Sequence, residues 1–230
     1  MHSSPRYFPV GDRALLVKFG DVIDLEMNRA VHALFNVLEK AEINCVDECV
    51  PAYASLLVYY DPLKTSYDRL VFQIKDLEPK LDELNDKEET HEVLVPTVYG
   101  GEYGPDLSNV ARAHGLTEED VIRIHSNHEY IVYMIGFIAG FPYLGRVPDS
   151  IATPRLERPR VRIPAGSVGI AGNQTGIYPC ESPGGWQIIG RTPLTLFDPY
   201  ALRPALFQPR DRVRFKPINA DELEKRTKRE

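Results

Sequence analysis

The spacing of apolar residues along the first forty residues predicts strands first and then a helix. Residues 6–10 and 14–19 are apolar-rich and are joined at Gly11 and Asp12, which predicts a hairpin of two strands. After Gly20, apolar residues recur at three- and four-residue spacing and predict a helix that ends near Lys40. The residues of this stripe are Ile23, Met27, Ala30, Val31, Leu34 and Leu38.

The same order of elements then repeats. Residues 43–50 and 54–60 are extended, apolar-rich runs, and Ser66 is placed to cap a second helix that stops before Pro79. The apolar stripe of that helix consists of Leu70, Ile74 and Leu77. Two strands and a helix, followed by two more strands and a helix, predict an α+β domain of ferredoxin-like type over residues 1–85.

Residues 78–92 are mostly charged and contain only two leucines that could join a core. This composition predicts a linker, with a second domain over residues 91–230. In the alternative, Leu81 and Leu84 extend the second helix past a kink at Pro79, and the boundary moves by a few residues.

The second domain is predicted to be rich in β-structure with two short helices. A strand is expected at Val93–Tyr99, followed by a turn at Gly100 and Gly101. One helix is expected to begin with Asp106 as its cap, and another with the capping box of Thr117 and Asp120.

Residues 136–198 are punctuated by proline and glycine, so no long helix can form there. Between these breaks lie short runs that favour strands, and many short strands predict a barrel or sandwich. The predicted strands are Val161–Pro164, Ser167–Ala171, Gly176–Tyr178, Trp186–Gly190 and Leu194–Phe197. The glycines from Gly166 to Gly176 are interpreted as turns and bulges, although their backbone amides could also face an anion.

Several sequence blocks point to a known family. The run PAGSVGIAGNQTGIYPCESPGGWQIIGRTPLTLFDP, preceded by GFPYLG, closely resembles the family whose members are variously called allophanate hydrolase subunit 1, the B subunit of 5-oxoprolinase and kinase A inhibitor. VPTVYGGEYGPDL and HSNHEYIVYMIGF are similar to further family blocks, so the resemblance spans about residues 91–217. It implies a cyclophilin-like β-barrel as the C-terminal domain. The chain has Ala139 where the family usually has proline.

The resemblance also implies a function. It favours one component of an ATP-dependent 5-oxoprolinase, a hydrolase that converts 5-oxoproline to glutamate. The partners would be a homologous second subunit, of the C type, together with a third one, of the A type. Two alternatives are an inhibitor of a sporulation-type histidine kinase and a carboxyltransferase partner in a urea carboxylase or allophanate system. The chain contains neither G-x-x-x-x-G-K-[ST] nor G-x-G-x-x-G, so ATP is expected to be held by the complex.

Composition narrows the remaining possibilities. The net charge of −6 and the pI near 5.6 leave no broad basic surface, which argues against nucleic-acid binding as the main role. No stretch is apolar and long enough for a signal sequence or a membrane span, so a cytoplasmic location is expected. Cys45, Cys49 and Cys180 lack the spacing of a zinc site, no metal is expected, and all three are interpreted as reduced, buried thiols.

Four arginines lie among the prolines of the central stretch. In an extended chain Arg158, Arg160 and Arg162 point the same way, which suits a carboxylate or phosphate but equally fits a solvated strand face. Arg155 and Arg160 match the family's PR…PR pattern, which favours anion binding for these two.

The remaining candidates are a histidine and residues of the family blocks. His125 follows a helix and lies four residues before Glu129, so it could be a general base or only a structural partner of the helix end. Tyr143 and Trp186 lie beside turns and are predicted walls of a binding groove. Gln174, Tyr178 and Arg191 complete the set of predicted substrate- or anion-binding residues. No complete catalytic triad can be recognised from spacing, so the isolated chain is expected to be inactive.

Overall fold

The computed structural model describes residues 5–80 and 90–227. The chain divides into two compact units, residues 1–89 and 90–230. Most of the predicted linker lies outside the described residues, and so do Leu81 and Leu84 of the alternative. Both units combine helices with sheets, so the predicted α+β class is confirmed.

The first unit has the predicted order of strands and helices. Its elements are β1 (Arg6–Val10), β2 (Ala14–Lys18), α1 (Leu25–Ala41), β3 (Val46–Pro51), β4 (Ser55–Tyr60) and α2 (Tyr67–Leu77). The antiparallel sheet has the order β1-β2-β4-β3. Both helices pack on one face of it, where Leu34 and Leu70 meet sheet residues such as Leu15, Val17 and Leu56.

The helix ends follow local capping chemistry. Asp24 accepts hydrogen bonds from the backbone N–H groups of Glu26 and Met27, so α1 begins at Leu25, two residues after the first residue of its apolar stripe. Ser66 caps α2 as predicted, with 3.4 Å between its Oγ and the N–H of Arg69.

The second unit contains nine strands and three helices within its described residues. They are β5 (Glu92–Tyr99), α3 (Leu107–His114), α4 (Glu118–Asn127), β6 (Glu129–Ile135), β7 (Pro142–Gly145), β8 (Arg160–Ile163), β9 (Ser167–Ala171), β10 (Gln174–Ile177), β11 (Ser182–Gly184), β12 (Gln187–Arg191), β13 (Arg212–Pro217) and α5 (Ala220–Thr227). The capping box of Thr117 and Asp120 begins α4 as predicted.

Seven of these strands form a closed barrel in the order β10-β7-β6-β13-β5-β12-β9. β13 pairs with β5 in parallel along its whole length, which places the end of the chain beside the start of the unit. The core of this unit contains residues from alternate strand positions, among them Val132, Ile170 and Ile189. Residues of α3 and α4 belong to the same core. β8 and β11 form a separate two-stranded sheet.

Three local predictions were wrong. Leu194–Phe197 is not a strand, because only Phe197 makes an isolated bridge, to Ala205. Cys180 is exposed, whereas Cys45 and Cys49 are buried as predicted, and all three are free thiols. Arg158 lies in a bend before β8, so it does not extend the row that Arg160 and Arg162 begin.

Among the described residues, no helix has the length and apolar content needed to cross a lipid bilayer.

Candidate functional site

An arginine-lined groove, here called the arginine groove, opens on the outside of the barrel in the second unit. It has a small lobe of about 180 Å³ and a large lobe of about 600 Å³. Glu102, Tyr103 and Arg191 line both lobes and therefore form their junction. The small lobe is completed by Pro105, Arg160, Arg162, Ile163, Pro164, Ser167 and Ile188. The large lobe is completed by Ala165, Gly166, Pro179, Thr192, Pro193, Leu194, Thr195, Leu223 and Glu224.

Arg160 is held by a buried carboxylate at the back of the small lobe. Its two terminal nitrogens donate to the two oxygens of Asp106 at 2.8 and 2.6 Å. Asp106 is 2% exposed and also accepts a hydrogen bond from the backbone N–H of Ile188 at 2.7 Å. Asp106 is the N-cap residue of α3 as predicted, but its carboxylate makes no side-chain cap hydrogen bond to that helix. The ion pair neutralises the charge that Arg160 was predicted to offer to an anion.

Replacing Arg160 by lysine is expected to lower the free energy of unfolding by about 1–3 kcal/mol. A lysine ammonium is a point charge and cannot reproduce the planar two-point contact with Asp106. Urea denaturation measures the effect. Arg162→Lys is the matched control, because Arg162 pairs with an exposed Glu181 and should lose less than about 0.5 kcal/mol. Equal stabilities for Arg160→Lys and the wild type would contradict the structural role.

Arg191 is the arginine of the groove whose charge is not neutralised within the described residues. Its Nε donates to the carbonyl oxygen of Ala165 at 2.8 Å, and no carboxylate of the described chain lies within ion-pair distance. The neighbouring turn depends on Gly166, which has a φ of +78°. A Cβ at this position would lie 2.3 Å from the Thr192 carbonyl oxygen, so only glycine allows the chain to pass this close. Arg191 is therefore the best placed of the predicted anion-binding residues.

The predicted aromatic residues form a packed cluster beside the groove. The ring of Phe141 lies at the centre, with centroid distances of 4.8, 5.1 and 5.3 Å to Tyr143, Tyr178 and Trp186. Ile163 and Ile188 are buried members of this cluster, and both also line the small lobe. The aromatic cluster and the arginine groove are therefore adjacent.

Two cross-strand glycines make room for this cluster on the outside of the barrel. Gly169 and Gly176 face each other on β9 and β10. A Cβ at Gly176 would lie 2.9 Å from the ring of Phe141, and one at Gly169 would lie 3.0 Å from the Cβ of Trp186. The aromatic rings can therefore pack directly on the sheet.

Burial assigns these aromatics to the core more than to a groove wall. Trp186 and Tyr178 are 5% and 1% exposed, and only Tyr143 is half-buried. Burial raises the pKa of Tyr178 to about 12, and it also raises the pKa of Tyr143. The predicted groove wall at Trp186 is therefore not supported by its position.

Arg155 and Gln174 lie on the same side of the molecule as the aromatic cluster. The guanidinium carbon of the exposed Arg155 lies 5.9 Å above the ring centre of Trp186, in a cation–π arrangement. Gln174 begins β10 between β7 and β9 and is half-buried. Neither lines a lobe of the arginine groove, so their predicted binding roles stay predictions.

His125 lies inside the barrel, away from the groove. Its Nδ1 is 2.8 Å from the Tyr99 hydroxyl and its Nε2 is 3.0 Å from the Thr175 hydroxyl, which in turn donates to the Gly169 carbonyl. The ring is fully buried and packs 4.4 Å from the ring centre of Phe215. A neutral imidazole can make both hydrogen bonds, one as donor and one as acceptor. The geometry therefore supports a structural role for His125 and not a role as general base. Glu129, its predicted acidic neighbour, pairs with Arg214.

The buried histidine predicts acid-sensitive stability. Burial lowers the pKa of His125 from 6.5 to about 3. Between these values the unfolded chain binds a proton that the folded chain excludes, so the free energy of unfolding should fall with decreasing pH by up to about 1.4 kcal/mol per unit. Urea denaturation at pH 7, 6 and 5 measures this slope. His125→Gln should flatten it and exposed His91→Gln should not; the same slope in the His125 variant and the wild type would contradict the prediction.

Sequence reasoning missed most of the groove. Glu102 and Tyr103 lie in the block around the Gly100-Gly101 turn, which was interpreted only as a turn between elements. Leu223 and Glu224 lie on α5, a helix that was not predicted. The one available signal was a tyrosine and a carboxylate between glycines, which is too common a pattern to identify a site.

Comparison with known proteins places the chain in a defined group. The family model of the carboxyltransferase domain, subdomain C and D, matches residues 5–207. The B subunit of the Bacillus subtilis 5-oxoprolinase is 45% identical over 216 residues, which cover 90% of each chain. Its counterpart from Escherichia coli O157:H7 is 39% identical over 92% of this chain and 95% of its own. The crystal structure of TTHA0988 is 38% identical with a TM-score of 0.79, covering 90% of this chain but 40% of that longer chain.

Proposed function

Because the chain belongs to the carboxyltransferase-domain family of subdomains C and D, we propose that it works as the B subunit of a 5-oxoprolinase. In this proposal it acts in a complex that opens the ring of 5-oxoproline to glutamate with hydrolysis of ATP. The alignments with relatives named as B subunits of 5-oxoprolinase cover at least 90% of this chain and at least 90% of each relative. This coverage favours the oxoprolinase function over kinase inhibition and over carboxyl transfer in a urea carboxylase or allophanate system.

The arginine groove supplies the observation that carries the proposal. 5-Oxoproline is a five-membered lactam with one carboxylate, and a guanidinium binds a carboxylate through two parallel hydrogen bonds. Arg191 is half-buried at the junction of the lobes and makes no ion pair within the described chain. We therefore assign the substrate carboxylate to Arg191, with the lactam ring in the small lobe.

The paired arginines of the small lobe would act through their fixed positions. Ring opening requires negative charge to develop on the lactam oxygen, and preorganised donors stabilise such charge. Asp106 compensates the charge of Arg160 but fixes its guanidinium from behind, so the remaining N–H groups of Arg160 would donate to the lactam oxygen without reorganising. Arg162 is more exposed and is expected to contribute less.

The described residues of this chain include no recognised phosphate-binding loop. The loop after β5 contains three glycines and leads into α3, as a phosphate-binding loop would. However, this loop has neither the G-x-x-x-x-G-K-[ST] nor the G-x-G-x-x-G pattern, and the charge of Asp106 at the start of α3 is already compensated by Arg160, so nothing in the loop favours a phosphate. We therefore assign ATP binding to another subunit of the complex. The use of ATP by the complex agrees with the predicted cytoplasmic location.

The partners proposed for the complex are a homologous second subunit together with a third one. In TTHA0988 a region similar to this chain makes up only part of a longer polypeptide, which supports close association of this fold with further domains. The second unit offers an apolar surface for such a partner, here called the docking loop, at residues 198–206. Tyr200 and Leu202 at its tip are 96% and 101% exposed.

Hydrogen bonds hold the docking loop in shape. The backbone N–H of Asp198 donates to the Pro204 carbonyl, and the N–H of Tyr200 donates to the Asp198 carboxylate. Phe137, which is 61% exposed, belongs to a neighbouring loop that touches the base of the docking loop where Gly140 approaches Phe197. A preformed apolar surface of this kind suits a protein partner.

Reconstitution from separately purified subunits tests the proposal. Glutamate and inorganic phosphate should form from 5-oxoproline and ATP only when this chain is mixed with its two partners.

A further inference from the structure

The charged residues of the arginine groove differ in sign along its length. Among the described residues, the small lobe is lined by Arg160, Arg162 and Arg191 and by a single carboxylate, that of Glu102. In the same part of the chain, the large lobe is lined by Glu102 and Glu224 and by a single cationic residue, Arg191. By residue type, the arginines are therefore concentrated at one end of the groove and the carboxylates at the other.

Within the described residues, ion pairing leaves one uncompensated charge of each sign at the junction. Arg160 and Arg162 are paired with Asp106 and Glu181, and neither of these carboxylates lines the groove. Arg191 and Glu102, by contrast, form no ion pair within the described residues. The junction thus presents one available cation and one available anion to the same ligand, an arrangement suited to a zwitterion.

We infer that this junction binds the amino acid produced by ring opening, with its α-carboxylate on Arg191 and its new ammonium group on Glu102. The inference rests on the proposed function. In the reaction a water oxygen joins the lactam carbonyl carbon, the carbon–nitrogen bond breaks, and both water protons end on the nitrogen. The neutral ring N–H thereby becomes an ammonium group, and a second carboxylate is formed.

This change of charge makes Glu102 a residue that distinguishes product from substrate. 5-Oxoproline has no cationic group for Glu102, whereas glutamate gains one at the moment the ring opens. The large lobe, with about 600 Å³, has room for the extended side chain that the closed ring lacked. Release of glutamate should therefore depend on Glu102, while capture of the substrate carboxylate depends on Arg191.

Titration calorimetry with three probes tests the inference on the full chain and on the assembled complex. The probes are L-5-oxoproline, L-glutamate and N-acetyl-L-glutamate, the last having both carboxylates but no ammonium group. Wild-type protein should bind glutamate about 10-fold more tightly than N-acetylglutamate. Glu102→Gln should reduce that ratio to about 1. The bulk of the acetyl group is the same for both proteins, so the change in ratio isolates the ammonium contact.

The outcomes separate two claims, the ammonium site at Glu102 and the proposed 5-oxoprolinase function. If 5-oxoproline binds but the ratio is the same in wild-type protein and Glu102→Gln, the ammonium site is overturned while the proposed function stands. If the ratio changes in Glu224→Gln and not in Glu102→Gln, the assignment to Glu102 is wrong. If no probe binds to the chain or to the complex, the arginine groove is not the site and both claims fail.

Discussion

Arg191→Lys is expected to lower kcat/KM for 5-oxoproline by about 100-fold in the assembled enzyme, which corresponds to about 2.7 kcal/mol of lost transition-state stabilisation. The lysine keeps the positive charge but loses the planar, two-point contact with the substrate carboxylate. Thermal stability should change little, because the side chain of Arg191 makes a single hydrogen bond, to the Ala165 carbonyl, within the described residues. Steady-state kinetics with varied 5-oxoproline measures the effect.

Arg162→Lys provides the matched control for this experiment. Both arginines line the small lobe, but Arg162 is already paired with Glu181 and is well exposed. We expect its kcat/KM to change less than about 5-fold. A wild-type value of kcat/KM for Arg191→Lys would remove Arg191 from the site, and Arg155 beside Trp186 would become the better candidate for anion binding.

The second large effect is expected at the docking loop. The double substitution of Tyr200 and Leu202 by aspartate should prevent stable association with the homologous second subunit, and 5-oxoproline-dependent activity should fall with it. Two charged residues at the centre of an apolar interface leave unpaired charges when water is removed. The folded chain itself should be unaffected, because both side chains are fully exposed. Analytical ultracentrifugation of the mixed subunits measures the association.

Leu63→Asp is the control for a surface charge that should not matter. Leu63 is 95% exposed and lies in the first unit, outside the docking loop. Its association constant should remain within a factor of about 2 of the wild type. Normal assembly by the Tyr200 and Leu202 double variant would show that the partner binds elsewhere.

Local patterns were sufficient for most of the first unit. The stripe from Ile23 to Leu38 and the cap at Ser66 depend on residues close in sequence, so the helices could be predicted within a few residues. The barrel was predicted only as a class. Its closure depends on the parallel pairing of β13 with β5, two segments more than a hundred residues apart. No local pattern near Arg212 indicates that partner.

The candidate site could be predicted in part for the same reason. Arg191 and Arg160 were both selected from the sequence, but their different roles depend on Asp106, which lies 54 residues before Arg160. The sequence favours His125 as a possible base because it lies four residues before Glu129, but His125 belongs to the last turn of α4 and does not follow that helix as predicted. Its actual neighbours, Tyr99 and Thr175, come from distant strands and enclose it in the barrel. Spacing identifies residue types, whereas the charge state of each residue follows from packing.

The central claim is that this chain is one subunit of a divided 5-oxoprolinase. The most direct measurement is 5-oxoproline-dependent release of inorganic phosphate by the purified chain, by each pair of subunits and by all three together. We predict no turnover above background for the chain alone, and full turnover with formation of glutamate only in the complete mixture. Sustained turnover by the isolated chain, or undiminished turnover by the other two subunits without it, would contradict the account.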